Sequence, residues 1–600
     1  MGNKLIDMRD AGFILFDQLK INNLFQYERY GDYSEESVEM ALKAAEKLAV
    51  NEYYPVNGEG DRVGVVFADG KAKVPEAYFS PYRKFCEGGW TAPSESYDLG
   101  GQQLPIVVNF VTQMMFFAAN QSLMVYTCLT HSAGKVVEKF GTEEQKKKYL
   151  EPLWSGRWGG CMDLTEPGAG SDVGAIRAKA IPRDDGTFLI KGNKLFISQG
   201  ESDLTENLVH ILLARIEGDP EGTKGLSCFI VPKIRVNDDG SLGEGNDVAC
   251  TGVEHKMGMK GSATASLAYG DNNDCVGELI GGRGKGIVTM FHMMNEQRVV
   301  VGIEGLSMGS SAYLHALGFA RERKQGAAFG QKAGEQVPII EHPDIRKNLL
   351  VTKSYVEGIR ALLLYTGYCM DMVEVSESEE ERQKYGDLIE ALTPICKAGG
   401  SDRGFDACVA AVQIHGGYGY CQEYYVEQLL RDSKITSIYE GTNGIQANDL
   451  MGRKISMRGG SAFETLVNEM RKTIEAAKSD ALLPYAKEFE ACLELALGVT
   501  AKLRDEAKGE RAYLAYTWAS QYLNVFIDLA VAWMLLDQAA IAEGKPTAGL
   551  AEADATFYAA KVCTAKFFIK SVLPQIKGRL SAIEENDDAI LAMTDAYFTD

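Results

Sequence analysis

Between Ser34 and Val50 the apolar residues recur three and four positions apart, behind a Ser-Glu-Glu-Ser start that offers side-chain caps to a helix. The same period resumes from Leu104 to Leu150 and closes at KFGTEEQKKKYLEPLWSG, which predicts an α-helical domain over residues 36–158. In that closing stretch Lys146, Lys147 and Lys148 follow Glu143 and Glu144 and read as a solvated helix face. The period then shortens. GTFLIKGNKLFIS, LVHILLARI, LSCFIVPKIRV and SLAYGD are β-branched or aromatic runs set off by Gly, Asp, Asn and Pro, which predicts a middle β-barrel or sandwich over 159–280. A glycine-rich turn at 281–286 restores the helical period, with helices expected over 287–322, 343–374, 377–410 and 422–438 in a bundle spanning 281–455. The hinge ISMRGGSA leads into an additional helical domain over 462–600, where Tyr513, Tyr516, Tyr522, Phe526 and Trp533 recur at near-helical spacing as a core stripe. Residues 1–35 hold short apolar clusters such as Phe13, Ile14, Leu15 and Phe16 and read as a packed N-terminal arm. The fold class is α+β, in the order helical domain, β domain, helical bundle, extra helical domain.

Composition narrows the function. At 600 residues the chain is too long for one core, and 46% hydrophobic with 24% charged residues is ordinary for a globular protein. A net charge of −21 argues against nucleic acid as a partner, because phosphate backbones demand clustered Lys and Arg. The 12 cysteines are scattered singly from Cys86 to Cys563 without metal-ligand spacing, so neither a disulfide framework nor a metal site is expected. The start MGNKLIDMRD carries early charges and no signal-type apolar run, and the most apolar stretch, Phe526 to Leu536, is short for a membrane span. A cytoplasmic protein without a transmembrane segment is expected. Lys285 is followed by Gly286, so the 281–286 turn is not a nucleotide-binding Walker loop.

Two stretches carry candidate chemistry. In QLLRDSKITSIYEGTNGIQANDL, from Gln428 to Leu450, an apolar face ends at Tyr439 and one carboxylate, Glu440, stands where Gly441 to Gly444 should break a helix. Alone, such a glutamate reads as a solvated helix end. In DLTEPGAGSD, from Asp163 to Asp172, Gly168, Ala169 and Gly170 remove side-chain bulk so that a flat or phosphorylated ligand can approach backbone N–H groups, with Thr165 and Ser171 adding hydroxyls. A tight hairpin turn has the same composition.

LTEPGAGSD, KLFISQG, QIHGG and IYEGT with the following NGIQ, in this order along residues 36–455, resemble motifs of the acyl-CoA dehydrogenase family. The long C-terminal extension resembles the large subfamily that includes methylthiopropionyl-CoA and long-chain acyl-CoA dehydrogenases. The resemblance implies FAD as cofactor, an acyl-CoA substrate, and Glu440 as the base that removes its α-proton. It further implies that Leu164, Thr165, Gly170 and Ser171, then Phe196, Ile197 and Ser198, and also Thr442, Asn443 and Gln446, contact the flavin. Arg323 would reach an FAD phosphate. Gln413, Ile414, Gly416 and Gly417 would form a turn meeting the FAD of a neighbouring subunit, which implies a homodimer. Ser171, Arg298 and Gly441 fall on the substrate side. His415 is expected to make a backbone contact. Some relatives carry the base directly before the arginine equivalent to Arg298; here that position is Gln297, which cannot act as a base, and Glu296 should face elsewhere on the helix. Electrons would pass to electron-transfer flavoprotein; an acyl-CoA oxidase using oxygen is the alternative.

Overall fold

The computed structural model describes residues 3–331, 334–546 and 549–599, without the side chains of 291–294. The chain divides into two compact units, one made of Met1–Val38, Pro105–Met114 and Arg298–Asp600, the other of Glu39–Leu104 and Met115–Gln297.

In the second unit the helices Tyr54–Val63, Phe79–Glu87 and Glu143–Trp154 accompany most of the helix Ile106–Phe140. That long helix breaks at Asn120 (φ −162°, ψ 92°), whose side-chain oxygen accepts from Leu123 N at 3.0 Å and so caps the helix anew. Thr142 and Gln145 close a reciprocal capping box on Glu143–Trp154. The expectation of helices alone over 36–158 needs correcting. A hairpin, β1 (Val66–Ala68) with β2 (Lys71–Lys73), turns through Asp69 and Gly70, both at positive φ, the Asp-Gly chemistry such a turn selects. Lys148 is also not a solvated charge: its ammonium meets Glu278 at 3.0 Å beside the Tyr149 hydroxyl, because this flank of the helix packs on the β domain.

The β domain comprises β3 (Gly159–Asp163), β4 (Lys179–Pro182), β5 (Phe188–Ser198), β6 (Leu208–Ile216), β7 (Leu226–Pro232), the short pair β8 (Ile234–Val236) and β9 (Leu242–Gly245), β10 (Val248–Val253), β11 (Thr264–Tyr269) and β12 (Val276–Ile280). Pairing runs β5–β12–β7–β6–β4 and back to β5, so the ladder closes into a ring; β11 and β10 extend it beyond β5, and β3 beyond β6. Closure removes exposed strand edges. Ala180, Ile190, Leu212, Phe229, Val231 and Leu267 pack in its core.

The first unit is a helical bundle. Its helices Gly286–Glu322 (from Arg298), Pro343–Val375 and Glu379–His415 follow the expected elements, with the last running five residues past 410. The expected 422–438 helix is shorter: Val426–Ser433 is α-helical and Lys434–Ser437 tightens to a 3-10 turn. Two helices meet backbone to backbone. A Cβ on Gly400 would lie 2.1 Å from Gly302 O, on Gly404 2.0 Å from Gly305 O, and on Gly305 2.6 Å from Gly400 O. No side chain fits between them.

The N-terminal arm packs as expected, with Phe13, Ile14 and Leu15 buried and the Phe13 ring 5.5 Å from Phe557. Asp10 is fully buried between Arg360 and Lys561, and Lys561 also reaches Glu357 at 3.1 Å. Burial alone would push the Asp10 carboxyl up, but Lys561 and Arg360 outweigh it and hold it low. In the C-terminal domain Tyr522, Phe526 and Trp533 are buried, whereas Tyr513 and Tyr516 are exposed; they lie on the separate helix Ala512–Thr517, so the spacing that joined them into one stripe crosses a break at Trp518. The helix Ala519–Glu543 is, by length and composition, long and apolar enough to cross a membrane, a correction to the shorter run read from the sequence. It is 83% buried over its most apolar window, and its Asp528 accepts from Tyr355 at 2.9 Å and Arg579 at 2.7 Å.

Gly400→Ala should force the two glycine-faced helices apart and cost about 1–3 kcal/mol or more, the usual range for overpacking. Urea denaturation of wild type and variant measures it; an unchanged midpoint would contradict the close contact.

Candidate active site

The carboxylate singled out by the sequence sits on a strained turn in the first unit. Glu440 has φ 54°, a left-handed conformation uncommon outside glycine, and Gly441 follows at φ 84°. Thr442 then caps the helix Asn443–Gly452, its hydroxyl oxygen accepting from Ile445 N at 3.2 Å. The turn is anchored on both flanks. Lys397, fully buried on Glu379–His415, donates to Thr436 O at 2.7 Å and to the Asn443 side-chain oxygen at 2.9 Å. The Asn443 amide group donates to Ser401 at 3.0 Å and Asp402 at 2.6 Å. Asn443 was expected to touch the cofactor; its amide is instead engaged by the neighbouring helix, and it acts as a loop anchor. The Tyr439 hydroxyl bonds the buried Glu304 carboxylate.

Arg298 is buried and pairs with Asp449 at 3.5 Å, which ties it to the helix just after the turn. Its Nη2 lies 3.8 Å from where a Gly441 Cβ would stand. The sequence left Arg298 open between a substrate contact and a buried ion pair; the geometry contains the ion pair, placed against Gly441. Burial raises the Glu440 pKa, with Arg298 and then Lys397 pulling partly against it. Gln446 is fully buried: its amide NH₂ reaches Gly441 O at 3.2 Å, while its side-chain oxygen meets no protein donor. Such an orphaned acceptor fits a hydroxyl or N–H on a bound group.

Further along the same unit, Arg323 is exposed with its guanidinium 5.4 Å over the Tyr418 ring, which places it beside the turn that begins at Gly416. Gly416 (φ 61°) and Gly417 face open space, with nothing within 4 Å of an added Cβ. Gln413 is exposed. Ile414 is a correction: its side chain is buried in the bundle core, leaving only its backbone to face a ligand. The His415 ring stacks on Phe319 at 4.3 Å and contacts Ala411 O at 2.7 Å, the backbone role expected of it.

The second unit holds the other motifs. Leu164 and Thr165, both half-buried, leave the end of β3; Leu164 O accepts from Lys194 Nζ at 2.9 Å and Thr165 O from Leu195 N at 3.0 Å. Glu166 and Ala169 exchange backbone bonds across a tight turn. The Glu166 carboxylate accepts from Lys194 at 2.9 Å and from Arg177 N and Ala178 N at 2.6 and 3.0 Å. Beyond this frame Gly168 and Gly170 meet nothing within 4 Å of an added Cβ, and Ser171 is exposed. Phe196 is another left-handed non-glycine, φ 61°, where the β5–β11 register slips, and it is 58% exposed. Ser198 is half-buried, but Ile197 is a correction, since its side chain lies in the barrel core. Glu296 is half-buried and charge-paired toward Lys135, and Gln297 is buried with its amide oxygen 3.8 Å from Cys128 Sγ.

Within the second unit, the open glycine loop and the exposed Phe196 ring fit a flat, phosphate-bearing cofactor; within the first, the orphaned Gln446 acceptor fits a hydroxyl or N–H of a bound group. Sequence reasoning missed Lys397 and Lys194: Lys397 stands in the locally apolar run ALTPICKAGG, where burial of a charge is itself the signal, whereas Lys194 shares its strand with Lys191 and Asn193 and gives none. It also missed a buried group inside the barrel: Cys161, Asp163 and His210 bring a thiol, a carboxylate and an imidazole within 4.8 Å of one another, a set that could hold a metal ion although their spacing does not suggest one. Among the described residues their own contacts are hydrogen bonds, His210 to Asp163 at 2.8 Å and the Tyr269 hydroxyl onto the same carboxylate oxygen.

Comparison with known proteins agrees. The acyl-CoA dehydrogenase N-terminal, middle and C-terminal domains match residues 35–157, 161–271 and 284–455, and a further domain described as acetyl-CoA dehydrogenase C-terminal like matches 466–594. A butyryl-CoA dehydrogenase of Syntrophomonas wolfei is 37% identical, with 99% of each chain covered. The 3-methylmercaptopropionyl-CoA dehydrogenase of Ruegeria pomeroyi is 36% identical over 94% of this chain and 96% of its own. The fold is shared with an acyl-CoA dehydrogenase of Bacillus anthracis complexed with FAD, at TM-score 0.74 and 23% identity over 96% of this chain and 92% of that one. The chain therefore belongs to the acyl-CoA dehydrogenase family and is a FAD-dependent oxidoreductase.

Proposed function

We infer that the protein oxidises an acyl-CoA thioester to its trans-2-enoyl-CoA, with Glu440 as the base. The observation that carries this is the placement of Glu440: one carboxylate, made less acidic by burial, on a strained turn anchored at both flanks. A thioester α-carbon is a very weak acid, so its base must be more basic than an exposed glutamate yet still ionised at working pH. Burial raises the Glu440 pKa while Arg298 and Lys397 limit the rise, which meets both demands. Among the described residues the Glu440 amide N–H has no acceptor, and it is free to donate to a thioester oxygen as negative charge develops there. FAD, when bound, supplies the acceptor for the β-hydride, which no side chain can provide. The residues that would hold it are Leu164, Thr165, Gly170, Ser171, Phe196, Ser198, Thr442, Gln446, Arg323, Gly416 and Gly417.

Relatives covering this chain from end to end are named for butyryl-CoA and for linear acyl-CoAs, and another for 3-methylmercaptopropionyl-CoA. The shared feature is an unbranched chain, which supports a linear acyl group here. The exposed Tyr418 and Tyr420, on the turn beginning at Gly416, support a homodimer formed through this surface. Electron-transfer flavoprotein is the acceptor in this reading. A panel of acyl-CoAs assayed with a dye and with oxygen should show unbranched chains oxidised fastest and the oxygen rate far below the dye rate; equal rates would make the protein an oxidase.

Glu440→Gln keeps shape and removes the base. It should retain bound FAD and lose about 10²- to 10⁴-fold in flavin reduction, followed by anaerobic stopped-flow bleaching. In wild type the base works only when ionised, so the reduction rate should fall as pH drops through a value above that of an ordinary glutamate. Near-normal reduction in the Glu440 variant would place the base elsewhere.

Phe196→Gly relieves the left-handed strain and removes the exposed ring. Apoprotein stability should stay within about 1 kcal/mol of wild type while FAD binds roughly 3- to 10-fold more weakly, as loss of one aromatic stacking contact implies. Equilibrium titration with FAD reads this; unchanged affinity would remove Phe196 from the cofactor site.

A further inference from the structure

We propose that Lys397 is the positioning residue of the base turn: its buried ammonium bridges the two flanks of Glu440 and places a positive charge beside that turn. This rests on Glu440 being the base.

The geometry is specific. Lys397 is fully buried on Glu379–His415, at the stretch where that helix meets Gly286–Glu322 backbone to backbone. One of its bonds goes to Thr436 O, before Glu440, and the other to the Asn443 side chain, after it. A left-handed glutamate is costly, by about 1–3 kcal/mol, and persists only where its surroundings over-determine it. Fixing both ends of a short turn to one point does so, since the backbone between Thr436 and Asn443 cannot relax without breaking one of the two bonds. Ser401 and Asp402 hold the other side of Asn443, so the anchor on this side is itself rigid.

Charge is the second half of the role. The groups facing the Lys397 ammonium are Asp402 on its own helix, Glu440 on the turn, and Glu304 and Arg298 on Gly286–Glu322. Burial pushes Lys397 down to about 8 while Asp402, Glu440 and Glu304 hold it up. It is therefore mostly protonated at neutral pH and loses its charge in the mildly alkaline range. Protonated, it disfavours a proton on Glu440 and lowers the pH at which the base becomes competent. Deprotonated or replaced, it leaves Glu440 with burial opposed by Arg298 alone.

Three variants of the FAD-loaded protein separate the two parts, each measured by anaerobic flavin reduction across pH with saturating butyryl-CoA. Lys397→Met removes bond and charge: the acid limb should move up by about one pH unit and the plateau rate should fall about 10-fold or more. Lys397→Gln retains a neutral donor, so the acid limb should move as in the Met variant with a smaller loss of plateau. Lys397→Arg keeps the charge, so its acid limb should stay at the wild-type position. If Lys397→Met does not fold, the Gln and Arg variants decide: a shifted limb in Gln against an unshifted limb in Arg supports the proposal. An unmoved acid limb in Lys397→Gln, or equal shifts in Gln and Arg, overturns it. Failure of the base assignment would look different, since Glu440→Gln would then reduce flavin at a near-normal rate whatever stands at 397.

Discussion

The turn that carries Glu440 depends on a contact in which side chains take no part. Gly302, Gly305 and Gly309 on one helix face Gly400 and Gly404 on another closely enough that any Cβ would strike backbone. Apolar packing by larger side chains holds helix axes 8–10 Å apart, whereas glycine faces let them come closer. That approach sets where the flanking residues fall. Lys397, Ser401 and Asp402 project from one helix and Arg298 and Glu304 from the other, and these five hold the segment from Thr436 to Asp449 that carries Glu440. The bonds of Lys397, Ser401 and Asp402 span 2.6–3.0 Å, so a shift of an ångström between the helices would break several at once.

The same physical device recurs within the second unit. Phe196 is also a non-glycine residue in the left-handed region, and the loop across from it is pinned by a buried lysine, Lys194, which donates to Leu164 O and pairs with Glu166. In each unit a strained residue that would face a ligand stands beside a turn held by a desolvated ammonium. Burying a charge is expensive unless it is paired and fully bonded. Lys194 is paired with Glu166 and bonds Leu164 O, and Lys397 bonds Thr436 O and the Asn443 side chain, so part of the cost of burial is recovered as rigidity of the two turns.

Charge also joins segments distant in sequence. Asp10 of the N-terminal arm lies between Arg360 and Lys561, so the first helix, the bundle and the C-terminal domain share one buried ionic cluster. Removing one partner from such a group strands the others in a low-dielectric interior, which makes the arm and the extension parts of one cooperative unit. Asp528 does similar work inside the most apolar helix, where its contacts to Tyr355, Arg403 and Arg579 explain why an acidic residue interrupts that stretch.

Periodicity and composition by themselves determined the order of helices, strands and helices, because burial of one face imposes a repeat of 3.6 or 2 that is written locally in the chain. Short motifs located Glu440 and the LTEPGAGSD loop through their resemblance to those of the acyl-CoA dehydrogenases; the residues alone read equally as a solvated helix end and a tight turn. Other features were invisible at that level. Ile197, Ile414 and Asn443 belong to the same motifs as their neighbours, and only the fold shows that the first two side chains turn into cores and the third onto a helix. The Asp-Gly hairpin at Asp69 was legible but lay inside a helical stretch, and Tyr513 and Tyr516 kept a helical spacing across a helix break. Lys397 stands far from Glu440 in sequence, and the gathering of Cys161, Asp163 and His210 needs two strands, β3 and β6, to pair in parallel. Local sequence encodes what one segment must do alone; which side chains from separate segments share a buried, low-dielectric space was decided by tertiary packing, and that sharing sets the ionisation of Glu440.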